Sequence, residues 1–198
     1  MNIKHLLISS AIAIPLAATS ATASTVSFDV DGPGSEAFIS GQLSAGAAIF
    51  AEPSADLDNE IFDLGVGDSY SFDFIDFSIV DVESFIGGGL FAVEATLAFE
   101  APGGSVSDSG FGGFGTFAGF LSGGVLEWTT GTQQVSLDDG TVFTVELEEG
   151  SVFGFGNSAT AQATVTLDVA PVPLPASSLL LLAGLSGLGI AARRKRAA

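Results

Sequence analysis

The chain has 198 residues, with 23 acidic side chains, five basic ones and no cysteine. The basic residues and the only histidine all lie near the two ends, so residues 24–170 carry the 23 acidic groups and no cationic side chain. This charge pattern argues against binding to nucleic acid or anionic lipid, which proteins hold through lysine and arginine. It also leaves no imidazole, thiol or lysine for catalysis in that region.

The first 23 residues have the pattern of a secretory signal peptide. A lysine at position 4 is followed by an apolar stretch and then by small residues that suit signal peptidase. The predicted cleavage site comprises Ala21, Ala23 and Ser24. Cleavage before Ser24 would export a body of residues 24–170, which is long enough for one domain with its own core.

An acidic stretch early in the body is a candidate calcium site. Its potential ligands are Asp56, Asp58, Glu60 and Asp63. Alternating oxygen ligands suit a hard cation, but the sixth position of an EF-hand loop would be Ile61 and the twelfth Gly67, where glycine and glutamate are required. A solvated acidic loop is therefore the favoured interpretation, with calcium as the alternative and no other cofactor expected.

Apolar and polar residues alternate with a period of two in three segments, which predicts half-buried antiparallel strands. The segments are Ser69 to Val80, Leu90 to Glu100 and Ala159 to Val169. In the first, the phenylalanines share a face only if the strand contains a bulge near Ile75. In the other two, the predicted inward residues are Phe91, Val93, Ala95, Leu97 and Phe99, and Ala161, Ala163, Val165, Leu167 and Val169.

Glycine-rich segments separate these strands. The sequence predicts loops at 87–89 and 102–104, and either a loose strand pair or a mobile loop at 105–124. Trp128 and Tyr70 could stack on a sugar ring, although an apolar context favours a core position for Trp128.

Two similar segments, LDDGTVF at 137–143 and LEEGSVF at 147–153, predict two successive hairpins. A three-residue loop ending in Gly140 would place Val135 opposite Phe143, because glycine adopts the left-handed conformation such loops require. The second loop, ending in Gly150, would place Val145 opposite Phe153 and Phe143 opposite Phe155. Together the short strands and turns predict an all-β fold, an antiparallel β-sandwich of the jelly-roll or immunoglobulin-like kind.

The C-terminal region, residues 171–198, has three parts in order. A proline motif comes first, then an apolar span at 176–192, then a basic cluster. The motif residues are Val172, Pro173, Leu174, Pro175 and Ala176. The basic residues are Arg193, Arg194, Lys195 and Arg196. The span is at the short limit for a transmembrane helix, and the basic cluster predicts a cytoplasmic end with the body outside.

This arrangement resembles the PEP-CTERM class of bacterial sorting signals, in the variant whose motif is VPLPA. The resemblance implies recognition of Val172 to Ala176 by an exosortase, a membrane transpeptidase-like protease. It also implies export by a Gram-negative bacterium that makes exopolysaccharide, with transient anchoring in the membrane before release to the cell surface or matrix. A plain C-terminal membrane anchor is the alternative.

The sequence thus predicts a non-enzymatic surface or extracellular-matrix protein, with signal peptidase, an exosortase and exopolysaccharide as its partners. A carbohydrate- or calcium-binding adhesin module is the main alternative. A glycoside hydrolase is a third, because paired carboxylates can cleave glycosides and the body holds many. No short motif in the sequence selects such a pair.

Overall fold

The computed structural model describes residues 24–80, 85–152, 158–171 and Ser186. The predicted signal peptide, sorting motif, apolar span and basic cluster therefore lie outside the described residues, apart from Ser24 and the single residue Ser186. The described strands are β1 Thr25–Val30, β2 Glu36–Ala45, β3 Ala48–Pro53, β4 Ile61–Gly65, β5 Ser69–Val80, β6 Ile86–Ala101, β7 Ser105–Phe117, β8 Phe120–Trp128, β9 Thr132–Ser136, β10 Val142–Leu147, β11 Gly150–Val152 and β12 Ser158–Val169. A short 3-10 helix, Leu57–Asn59, joins β3 to β4.

The strands form two antiparallel sheets. In the first sheet the order is β11-β8-β7-β6-β1-β4, and β2 also pairs with β6. In the second sheet the order is β3-β5-β12-β10-β9. Both sheets curl into half-barrels. The predicted all-β sandwich is confirmed.

One continuous core lies between the two sheets. At one end of it, Phe28 and Phe99 from the first sheet meet Phe143 from the second, with ring centroids 5.2 and 5.3 Å from that of Phe143. Both contacts are edge-to-face, a geometry worth about 0.5–1.5 kcal/mol per pair beyond burial of the rings. Because the three rings come from both sheets, they hold the sheets together.

The alternation predicted for β6 is confirmed, and that for β12 is confirmed except at its last position. All five predicted inward residues of β6 are buried. In β12, Ala161, Ala163, Val165 and Leu167 are buried, but Val169 is 46% exposed. The register shifts where Val142 and Phe143 pair with Val169 and Leu167. This irregularity adds a residue to β12, so the next side chain points outward and the prediction for Val169 is wrong.

The bulge predicted in β5 is confirmed. Ile75 pairs with Ala161 and Asp73 pairs with Gln162, so Phe74 has no partner in the ladder. Both Phe74 and Ile75 are buried. The extra residue lets two adjacent large side chains enter the core from one strand, which a regular strand cannot do.

The first of the two predicted hairpins is confirmed. Phe143 pairs with Val135 across β10 and β9, and Gly140 has a φ of 90°. The loop closes with Leu137 N donating to Thr141 O at 2.9 Å. The acidic pair and glycine therefore form the three-residue loop that the spacing predicts.

The second predicted hairpin is wrong. The two neighbours of β10 are β9 and β12, so both of its edges are occupied. Gly150 instead begins β11 and pairs with Leu126 of β8, in the other sheet. Phe153 and Phe155, the predicted partners of Val145 and Phe143, lie outside the described residues.

The glycine-rich segments are mostly strand. The predicted loop at 87–89 is wrong, because these glycines belong to β6. A Cβ on Gly89 would lie 2.4 Å from the backbone oxygen of Leu43, so the close approach of β2 requires glycine there. Residues 105–124 form the strand pair β7 and β8 rather than a mobile loop, joined by a turn at Ala118 and Gly119. The predicted loop at 102–104 is confirmed.

Candidate functional sites

The predicted sorting motif follows the sandwich almost directly. Strand β12 ends at Val169, Ala170 is buried, and the motif would begin two residues later at Val172. Strand β12 is hydrogen-bonded close to its end. Gly67 N donates to Leu167 O at 2.8 Å, and Leu167 N donates to Asp68 O at 3.1 Å. A protease that cuts the motif therefore works close to a well-bonded edge of the fold.

The predicted signal cleavage site is compatible with the fold. Strand β1 begins at Thr25, one residue after Ser24. Cleavage before Ser24 would leave all of β1 in the mature chain, including the fully buried Phe28. Ala21 and Ala23 lie outside the described residues.

The four candidate calcium ligands occupy different local settings. Asp56 precedes the 3-10 helix without a side-chain capping bond, and Asp58 lies within that helix. Glu60 accepts a hydrogen bond from Tyr70, and Asp63 lies on β4 opposite Ser27. Across the described ranges, no three acidic side chains are grouped so that they could hold a metal ion. The geometry adds nothing to the calcium prediction from the sequence.

Trp128 is a core residue, as the sequence favours. It is 6% exposed, and its Nε1 donates to the backbone oxygen of Glu148 at 3.0 Å. Tyr70 is 39% exposed and stacks on Phe62 with ring centroids 4.4 Å apart. Its hydroxyl donates to Glu60 Oε2, and this bond, together with the nearby negative charge, raises the pKa of Tyr70. The ring is therefore already engaged within the protein.

Carboxylates in the body bind backbone N–H groups and hydroxyls in place of cations. Asp108 Oδ2 accepts from the N–H groups of Thr130 and Gly131 at 3.0 and 2.8 Å. Asp168 Oδ2 accepts from Thr144 Oγ1. Such charge-assisted hydrogen bonds are about twice as strong as neutral ones, so they partly offset the mutual repulsion of the acidic groups.

A shallow groove crosses the outer face of the first sheet, over β2, β6 and β7. It encloses about 570 Å³ and is lined by one large apolar residue, Phe38, among polar ones. The polar lining comprises Glu36, Glu94, Thr96, Ser107, Asp108, Ser109, Thr129 and Thr130. Strand pairing aligns Phe38 with Glu94, and Glu94 with Ser109.

Sequence reasoning missed this groove because its residues come from segments far apart in the chain. The segment around Phe38 has no clear pattern of its own, and the outward direction of its ring depends on the pairing of β2 with β6. The alternation in β6 carries a usable signal, because Glu94 and Thr96 lie between its inward residues and so belong to the outer face.

A smaller cavity lies between the sheets and has different chemistry. It encloses about 90 Å³, and much of its lining consists of core residues such as Phe77, Phe91 and Phe114. These rings pack against each other. The ring centroid of Phe91 lies 5.7 Å from that of Phe77 and 6.4 Å from that of Phe114. The cavity is therefore an extension of the core.

No helix within the described ranges is long and apolar enough to cross a membrane. Apart from Ser186, the predicted span at 176–192 lies outside those ranges, so it stays a prediction from the sequence.

Comparison with known proteins identifies the C-terminal segment. A family model described as the PEP-CTERM protein-sorting motif matches residues 171–196. No curated protein and no solved structure matches the chain. The match covers the predicted motif, span and basic cluster together, and it begins directly after the last strand of the sandwich. The chain therefore carries a PEP-CTERM sorting signal, which supports export to the cell envelope or surface of a Gram-negative bacterium and processing by an exosortase.

Proposed function

We propose that the protein is a non-enzymatic component of the cell surface or extracellular matrix, associated with exopolysaccharide after an exosortase removes its tail. The observation that carries the proposal is the position of the sorting segment. The matched segment begins at Pro171, directly after a well-bonded sandwich whose residues 24–170 contain no histidine, cysteine, lysine or arginine.

The chemistry of the body supports a role without catalysis. Mechanisms with a serine or cysteine nucleophile and phosphoryl transfer rely on imidazole, thiol or cationic groups, and this region has none. Carboxylate pairs remain the available catalytic chemistry. Of the carboxylates, Asp139 has a shifted pKa, which is lowered by a backbone hydrogen bond at an exposed loop, the opposite of what a general acid needs.

Cell fractionation tests the proposed location. In the native host, we expect the protein in the surface and medium fractions, and in the inner membrane fraction when the candidate exosortase gene is deleted. A deletion strain complemented with that gene serves as the control. Equal distribution in both strains would contradict processing by that exosortase.

An activity assay tests the absence of catalysis. Protein recovered from the surface fraction should release no reducing sugar from a panel of neutral and acidic polysaccharides. Turnover that is lost on replacing one Glu or Asp with its amide would contradict the proposal and favour a glycoside hydrolase.

A further inference from the structure

We infer that the groove over β2, β6 and β7 binds a neutral polysaccharide. The inference rests on the proposed function and names the class of matrix partner that the body contacts. It follows from three properties of the groove: an exposed aromatic ring, a set of unused hydrogen-bonding groups, and the sign of the charge.

The ring is that of Phe38, which is 45% exposed and is the only large apolar residue lining the groove. An exposed aromatic face with polar groups on either side offers an apolar surface to the C–H face of a sugar ring. A second exposed ring, Phe111, lies two residues beyond Ser109 on the same strand and face, and is 64% exposed. The outer face therefore presents two rings to a chain lying across the strands.

Two carboxylates in the groove have unused capacity. The side chains of Glu36 and Glu94 make no hydrogen bond to any described residue, and both are exposed. An ionised carboxylate only accepts hydrogen bonds, so each can take two from a ligand that donates. In contrast, the carboxylate of Asp108 is occupied by backbone N–H groups and holds the adjacent loop.

The hydroxyls in the groove are paired with each other. Thr96 Oγ1 lies 2.8 Å from Ser107 Oγ, and Ser109 Oγ lies 3.1 Å from Thr129 Oγ1. Each pair uses one hydroxyl proton internally and leaves one to donate outward. The groove thus presents both hydrogen-bond acceptors and donors. The hydroxyl groups of a sugar chain can pair with both kinds.

The negative charge and the hydroxyl donors of the groove determine which ligands fit it. An acidic polysaccharide would meet Glu36 and Glu94 with no cation on the body to offset the repulsion. A cationic peptide would pair with the carboxylates, and its carbonyl oxygens would accept from the hydroxyls, so the polylysine probe below separates this ligand from a neutral glycan. A neutral sugar chain satisfies the carboxylates, the hydroxyl donors and the ring together.

The test measures binding of the protein recovered from the surface fraction of the host. The probes are dextran, a soluble cellulose oligosaccharide and galactomannan as neutral glycans, alginate as an acidic glycan, and polylysine as a cation. Phe38→Ala and Glu94→Gln remove groove groups, while Phe50→Ala is the matched control. Phe50 is 49% exposed and lies on β3 of the other sheet.

We expect binding to at least one neutral glycan and none to alginate. Phe38→Ala and Glu94→Gln should each weaken the binding about tenfold or more, with Phe50→Ala unchanged. Two side chains of different chemistry are used so that a folding defect in one variant does not decide the result, and thermal melting of each variant checks the fold.

Three outcomes would overturn the inference. They are the absence of binding to all the neutral glycans, binding that is unaffected by both groove variants, and binding to polylysine alone that disappears with salt. None of these affects the proposed location, which cell fractionation tests separately. Correct export and processing of a wild-type protein that binds no neutral glycan would reject the groove and leave the proposed function standing.

Discussion

The outer faces of the two sheets differ in how much apolar side chain they expose. On the second sheet, outward polar groups pair across the strands: Ser69 with Thr166, Ser71 with Thr164, Gln162 with Asp73, and Thr160 with Asp76. On the first sheet, the outward face carries exposed Leu43, Leu90, Phe111 and Val125 beside the groove. Strand pairing aligns Leu43 with Leu90, and both Leu90 and Val125 with Gly113.

This difference shows that one pattern of alternation serves two purposes. The second sheet pairs these four sets of outer residues, although Glu52 and Glu146 on its outer face make no hydrogen bond to a described residue and Phe50 is 49% exposed. The first sheet leaves more apolar area in water, a cost that a binding surface explains, and it carries the two unbonded carboxylates of the groove. The predictions below test the packing of each sheet and the contrast between their outer faces.

The largest expected effect is at the inner face of the first sheet, where glycine allows close packing. A Cβ on Gly112 would lie 2.3 Å from Cζ of Phe91 and 2.5 Å from the backbone oxygen of Val125. Gly112→Ala should therefore destabilise the protein by about 3 kcal/mol, at the upper end of the cost of overpacking. Chemical denaturation measures the change.

Gly41→Ala is the matched control for this position. The nearest atom to a Cβ there is that of Ala92 at 3.9 Å, an ordinary contact. We expect a change within about 0.5 kcal/mol, typical of surface sites. Equal costs at positions 41 and 112 would contradict the described packing of β7.

In the second sheet, Gly140→Val should cost about 1–3 kcal/mol, because a β-branched residue is strained at the positive φ of this loop. A Cβ at this position would meet no atom within 4 Å, so strain alone accounts for the loss. Ser136→Val, at an exposed position of β9, is the control and should change stability little. Equal tolerance in thermal melts would count against the hairpin.

A smaller effect separates the outer faces directly. Thr164→Val removes a 2.7 Å hydrogen bond to Ser71 and should cost about 0.5–1 kcal/mol. Val125→Thr on the first sheet replaces a side chain with one of similar shape, at a position where Val125 has no cross-strand side-chain hydrogen bond to lose. The free energy of unfolding should therefore change by no more than about 0.5 kcal/mol. Denaturation midpoints that fall equally in both variants would mean that the two faces are not distinct.

The smallest effect depends on pH. Hydrogen bonds from Thr141, chiefly from its backbone N–H, lower the pKa of Asp139 below its ordinary value of 3.8. A lowered folded-state pKa contributes stability above that value, and the contribution is lost as the pH falls through the folded-state pKa. Relative to Asp139→Asn, the wild type should therefore lose stability in acid, as measured by melts from pH 6 to pH 2. A constant difference across that range would contradict the loop geometry.

The local alternation of apolar and polar residues predicted those strands in which one face is buried and the other is exposed. The alternation of β6 and the bulge of β5 followed from the spacing of phenylalanines, and the loop at Gly140 followed from its turn chemistry. Pairing between distant segments could not be predicted in this way. The glycines at 87–89 look like a loop until β2 is placed against them, and LEEGSVF resembles a hairpin until β12 occupies the free edge of β10.

The candidate sites also differ in whether they could be predicted from local sequence. The sorting segment is continuous in sequence. Its proline motif, apolar span and basic cluster, in that order, were sufficient to predict it. The groove is built from β2, β6, β7 and the loop after β8, so it exists only once the sheet is assembled. The sequence singled out Tyr70 and Trp128. Trp128 is buried, and Tyr70, although 39% exposed, stacks on Phe62 and bonds to Glu60, whereas the ring in the groove is that of Phe38.

The intact mass of the protein recovered from the host surface or medium tests the central claim most directly. The account predicts a chain that begins at Ser24 and lacks Arg193 to Arg196, and a heavier chain with its full tail when the exosortase is deleted. A span of 17 residues that includes Gly184, Gly187 and Gly189 is short for a lasting anchor, and the sequence predicts that Pro173 and Pro175 favour an extended motif that a protease could bind. Recovery of a product from wild-type cells that still ends at Ala198 would contradict the account.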